Sequence, residues 1–272
     1  MAIKEIVLYV GRDLRYPARQ QAAMRLAERF DARIVGVHVL SYPVVAGYMQ
    51  VDLGAELIEQ QMAQAHARAA EIRKSFDAAM QREGLSAEWR LIEGNPVAAM
   101  ALASRYGDLS IVAQPNPQDP WPEDSMPDEL VLAAGRPLLV WPYVGDYAAM
   151  GRQVMVAWNG SREAVRALHD AMDFLVGAEK VVVSTVNSPD RSHIAGADLA
   201  GYLARHGIRA EVHPITAPDL DAGNAILSAA ADFGSDLLVM GAYGHSRLRE
   251  LALGGVTRHV LKTMTLPVLM SH

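Results

Sequence analysis

Leu237-Leu238-Val239-Met240-Gly241-Ala242-Tyr243-Gly244 decides how this chain is read, together with its continuation at Leu253-Gly254-Gly255-Val256-Thr257. A short apolar run ends at a glycine, and a second glycine stands three positions on. After an amphipathic insert come two adjacent glycines and a segment with helical spacing. Continuous apolar runs mark parallel strands buried on both faces, and open α/β sheets bind ligands beyond the carboxyl ends of such strands. Glycines there allow close backbone approach, and the free N–H groups of a helix start attract anions. The stretch is read as a phosphate cradle.

Working outward, strand-like and helix-like segments alternate along the whole chain. Residues 6–10 read as a first strand, 19–30 as a helix, 33–40 as a strand, and 53–82 as a long helix closed by Gly84. Strands at 88–92 and 109–113 flank a small-residue helix opened by Gly94-Asn95-Pro96. A proline-rich loop, a short helix at 129–134 and a fifth strand at 136–141 follow. Residues 142–152, with a proline, two glycines and an aspartate, read as a linker. The order then restarts, with strands at 154–158, 180–186, 210–215, 237–240 and 267–270. Helices at 162–176, 197–205, 224–233 and 256–263 alternate with them.

Tyr106-Gly107-Asp108-Leu109 matches Phe233-Gly234-Ser235-Asp236-Leu237, and Arg136-Pro137-Leu138-Leu139-Val140 matches Leu266-Pro267-Val268-Leu269-Met270. A duplication is inferred: two tandem α/β domains at 1–142 and 151–272. Each is a parallel sheet with helices on both faces.

Composition narrows the function. The 272 residues include no cysteine, which excludes disulfides, thiolate metal sites and cysteine nucleophiles. No apolar run reaches the roughly 18 residues of a membrane span, and the amino end lacks a signal-peptide layout. A soluble, cytoplasmic protein is expected. The formal charge of −6, without a basic stripe or tail, gives no general attraction to nucleic acid or anionic lipid. Any phosphate affinity must be local.

The spacing Gly241-x-x-Gly244-x9-Gly254 resembles the nucleotide-binding signature of universal stress proteins, where Ser or Thr usually follows the last glycine. Val156-Ala157-Trp158-Asn159-Gly160-Ser161 is similar to that family's first strand and turn, and Thr265-Leu266-Pro267-Val268-Leu269-Met270 to its last strand. The chain is identified as a tandem member. The resemblance implies α/β, two tandem flavodoxin-like domains with five-stranded parallel sheets in the order 3-2-1-4-5, and ATP or a related adenine nucleotide, with or without Mg, across the ends of strands one and four. It places Val186 at the adenine and Ala157 and Asn159 at the ribose and phosphate side of the first strand. It places Met240, Gly241, Gly244, Gly254, Gly255 and Val256 at the phosphates. It also implies that the last strands pair, here within one chain.

Two departures bear on this site. Gly255 stands where a hydroxyl would serve a phosphate, which removes one hydrogen bond worth about 0.5–1.5 kcal/mol. Asn159 replaces an aspartate, removing both a potential metal ligand and a negative charge. Asn159-Gly160-Ser161 is also a good helix N-cap in its own right. In the first half, residues 114–124 carry four prolines and three acids where a phosphate loop would stand, so no ATP site is expected there. That cavity is either filled by side chains or holds another ligand beside Tyr42, Tyr48 and Trp121.

Arg247, Arg249 and Arg258 are read as solvated surface residues or phosphate contacts. The nine histidines show no ligand spacing and the thirteen methionines fill apolar faces. The sequence contains no G-x-S-x-G elbow and no Walker loop, and no catalytic residue or metal ligand is assigned. The expectation is a stress-response sensor in which bound nucleotide orders the segment from Gly241 to Gly255 and alters a surface offered to protein partners. The alternatives are a slow Mg-dependent nucleotide hydrolase and an interaction module that holds no nucleotide. The chain is either a monomer, with its two sheets joined internally, or a homodimer.

Overall fold

Successive residues of the first strand serve two different cores. Ile6 and Leu8 enter one apolar layer, and Val7 and Tyr9 enter the other. That alternation, with every one of these side chains at most 4% exposed, requires helices on both faces. The structure is a computed structural model, and it describes residues 2–41, 55–119, 126–187, 196–217, 221–244 and 255–272.

In chain order the first half runs β1 (Glu5–Tyr9), α1 (Tyr16–Phe30), β2 (Arg33–Leu40), α2 (Ala55–Arg82), β3 (Ala87–Glu93), α3 (Pro96–Ser104), β4 (Leu109–Ala113), α4 (Met126–Ala133) and β5 (Leu138–Trp141). The second runs β6 (Gln153–Ala157), α5 (Arg162–Asp170), α6 (Met172–Val176), β7 (Lys180–Val186), α7 (Ala197–Arg205), β8 (Ala210–Ile215), α8 (Ala222–Asp232), β9 (Leu237–Gly241), α9 (Val256–Thr263) and β10 (Val268–Ser271). The expected single helix over 162–176 is two. Ala171 sits at φ −89°, ψ 0°, and its N–H is shared between the carbonyls of Ala167 and Leu168, which ends α5 and starts α6. Gly84 and Gly207 close α2 and α7 at φ +67° and +77°, a backbone region that glycine enters without strain.

The strands form one sheet in the order β3-β2-β1-β4-β5-β10-β9-β6-β7-β8. Each half follows the order 3-2-1-4-5, with every pair inside it parallel. The halves meet at one antiparallel pair, β5 on β10, with Val140 opposite Val268, Leu139 opposite Leu269 and Leu138 opposite Met270. All six side chains are fully buried. Helices α1, α2, α5, α6 and α7 cover one face, and α3, α4, α8 and α9 the other. Both apolar layers run unbroken across the seam.

Elsewhere along the join, Phe30 meets Phe174 edge-on at 5.2 Å. The Arg29 guanidinium lies over both rings and donates to the Met150 carbonyl. No helix among the described residues is long and apolar enough to cross a membrane.

Truncating Leu269 to Ala at the seam should cost about 3 kcal/mol of unfolding free energy, the usual range for a buried leucine. Urea titration would read it as one cooperative transition shifted to lower denaturant. Two separated transitions would show that the halves do not share a core.

Candidate functional site

Beyond the carboxyl ends of β6, β7 and β9 the chain leaves a cavity of about 210 Å³. Ala157 and Asn159 enter it from the end of β6, and Val186 from the end of β7. Met240, Gly241 and Gly244 come from β9 and the turn after it, and Val256 from the start of α9. Ala222 and Ile226 of α8 face them. Gly255 is the N-cap of α9 and does not line the cavity. Gly254, Arg247 and Arg249 lie outside the described residues. The structure thus brings together most of the positions singled out from sequence, beside a helix start whose N–H groups favour an anion.

Local chemistry explains how each is held. Asn159 accepts the Ser161 N–H at 3.0 Å, and Ser161 caps α5 by accepting from Ala164 at 3.1 Å. The carboxamide oxygen of Asn159 is therefore used to start α5, as the capping reading required. The glycines after β9 have a reason apart from any ligand. A Cβ on Gly241 would lie 2.5 Å from the Ala164 nitrogen, and one on Gly244 would lie 2.9 Å from the Glu163 carboxylate. The amino end of α5 passes directly behind them. Glu163 is held below the usual carboxylate range by its own N–H at the helix start, with help from the Ser161 hydroxyl and Arg162.

The wall also contains Trp158, Ser184, Tyr243 and Thr257, which the sequence did not single out as ligand positions. Tyr243 stands at φ +55°, a left-handed conformation that costs a side-chain-bearing residue about 1–2 kcal/mol. Its N–H donates to Thr257 Oγ1 at 3.1 Å, which ties the turn to the first turn of α9. Its hydroxyl donates to Asp128 at the start of α4, in the other half of the chain. Burial, then the Asp128 carboxylate, push the Tyr243 hydroxyl far above its ordinary pKa, while Arg258 works against them. The signal available in sequence was Thr257 alone, a hydroxyl two positions beyond the one missing at Gly255. Nothing local announces a bond spanning 115 residues.

The corresponding place in the first half is different. Beyond β1 and β4 the described residues line a cavity of about 30 Å³, room for about one water. Arg19, fully buried, forms a two-pronged pair with Asp13 at 2.9 and 2.6 Å and also donates to the Tyr9 carbonyl. Burial alone would raise the Asp13 carboxyl, but the hydrogen bonds and charge of Arg19 bring it below its ordinary value. Gln114, 2% exposed, donates to the Leu261 carbonyl and accepts the Tyr143 N–H, so it closes the end of β4 onto α9. Among the described residues, Arg19, Asp13 and Gln114 occupy this end of the sheet. Tyr42, Tyr48 and Trp121, named as neighbours of a second ligand, lie outside the described residues.

The parallel strands in this order, with a cavity walled by a glycine turn and a helix start at the topological switch point, define a flavodoxin-like α/β protein. The model of the universal stress protein family matches residues 150–272, the second half of the chain. A universal stress protein of Synechocystis is 32% identical over 150 residues, 52% of this chain and 49% of that protein. One of Methanocaldococcus jannaschii is 42% identical over 45 residues, 16% of this chain and 28% of that protein. The chain thus spans about half the length of the first relative and less of the second. The crystal structure of a universal stress protein from Archaeoglobus fulgidus superimposes with a TM-score of 0.78 at 15% identity. That match covers 98% of this chain and 97% of the other, and at this identity it speaks for the fold.

The Asp13–Arg19 pair gives a signed pH prediction. Asp13 is lowered in the folded protein, so its contribution is present above the unfolded carboxylate value, about 3.9. The contribution falls away as pH drops through the folded value. Asp13→Asn strands a buried guanidinium and should cost about 3 kcal/mol at pH 7. Urea unfolding from pH 8 to 3 should show a constant gap between the proteins down to about pH 4, shrinking below it.

Proposed function

We propose that the domain at 151–272 binds ATP or a related adenine nucleotide, with or without Mg, and that the domain at 1–142 does not. The protein would act as a cytoplasmic stress-response sensor. The observation that carries this reading is the 210 Å³ cavity and its position. It combines apolar walls from Val186, Ile226 and Met240, suited to a base, with the amino end of α9, suited to a phosphate. The family resemblance of residues 150–272 points the same way.

Tyr243 supplies the sensing step. It is at once a wall of the cavity and the donor to Asp128 on α4. A ligand that stabilises this turn stabilises the link to the first half, and one that displaces it releases the link. Either way, occupancy reaches α4 of the first half.

Calorimetric titration with Mg-ATP, after a check for co-purified nucleotide, tests the reading. One site per chain is expected, and Ala222→Trp, which fills the cavity, should abolish it without lowering the melting temperature by more than a few degrees. Two sites would overturn the asymmetry between the domains. No binding, with no nucleotide carried through purification, would overturn the nucleotide reading in favour of a partner-binding module.

Tyr243→Phe removes the bond to Asp128 and keeps the ring. It should change nucleotide affinity by about 3- to 10-fold, as expected for a charge-assisted hydrogen bond coupled to binding. Asp128→Asn should add little to that change in the double variant. Fully additive effects would show that the two residues are not coupled through the ligand.

A further inference from the structure

Ser184 interrupts the apolar run Val181-Val182-Val183 on β7 and is 1% exposed. It stands beside Ala157 of β6, and its backbone carbonyl accepts the Trp158 N–H at 2.8 Å. Its side-chain hydroxyl has no hydrogen-bond partner among the described residues. A buried hydroxyl without a partner is less stable there than the methyl of an alanine. Protein packing alone gives no reason for a serine at this position. Ser184 does line the cavity, among the apolar side chains of Ala157, Val186, Ile226 and Met240.

We propose that Ser184 is a specificity-determining residue of this site, and that its hydroxyl is completed by a hydrogen bond to the ring of the bound ligand. The inference rests on the nucleotide reading above and narrows it. The deep part of the cavity takes a flat heterocycle that presents a ring nitrogen or an exocyclic amine toward β7. A hydrocarbon ring of the same size would leave the hydroxyl unsatisfied and is disfavoured.

The neighbouring residue is an internal control. Thr185 is 4% exposed and its hydroxyl likewise lacks a partner, but it does not line the cavity. Its methyl lies under Gly196 on the opposite face of the strand. An unsatisfied hydroxyl at Thr185 therefore has no bearing on the ligand.

The test compares the intact protein with Ser184→Ala, Ser184→Cys and Thr185→Val, using Mg-ATP and adenosine as probes and ligand-free melting as the second readout. Ser184→Ala should weaken both probes about 3- to 10-fold, while its ligand-free melting temperature stays level or rises. Ser184→Cys should fall between, and Thr185→Val should bind like the intact protein.

Unchanged binding by Ser184→Ala, in a protein that does bind ATP, would overturn the inference and leave the nucleotide reading standing. A lower ligand-free melting temperature would also overturn it, because it would show that the hydroxyl has a protein partner. A loss seen with Mg-ATP and not with adenosine would overturn the assignment to the ring. Failure of the intact protein to bind either probe would overturn both readings together.

Discussion

The antiparallel pairing of β5 with β10 is the constraint on which the rest depends. An unpaired edge strand leaves a row of backbone donors and acceptors open, and here each half satisfies the other's. Because the join is antiparallel, the two halves are related by a rotation in which the turn after each fourth strand lies against the other half. From one turn Gln114 reaches Leu261, and from the other Tyr243 reaches Asp128. The candidate site is therefore backed by residues of both halves, although its walls belong to the second.

Much of the architecture was legible because the chain repeats a local code. Apolar runs of four to eight residues alternate with segments of helical spacing, and that alternation alone requires a parallel sheet covered on both faces. The internal match at Asp108 and Asp236 has a physical basis that the structure supplies. Asp108 accepts the N–H groups of Lys4 and Glu5, and Asp236 those of Gly151, Arg152 and Gln153. Each carboxylate satisfies open donors where the central strand of its half begins, so the same residue recurs for the same reason.

What escaped the sequence is long-range or defined by an absence. The pair of Arg19 with Asp13 could not be told from two ordinary surface charges, since only its burial makes it a plug. Ser184 looked like a neutral interruption of a strand, because an unsatisfied hydroxyl is visible only once its surroundings are known. The break at Ala171 has no Gly or Pro to announce it. The glycine spacing pointed to the end of the sheet where the cavity lies, but Trp158, Ser184, Tyr243 and Thr257 of its wall sit between and beyond the glycines.

The close approach of α5 to β9 has a consequence for how such a signature should be interpreted. Gly241 and Gly244 press against Ala164 and Glu163 on their hidden side, whatever lies on the open side. The demand for glycine is therefore set first by the distance between a helix and a strand. In this half, loss of a ligand alone would not release Gly241, because the backbone of α5 would still lie against it. The glycines are a ruler for the gap between α5 and β9, and the identity of the guest is written in the side chains that border them.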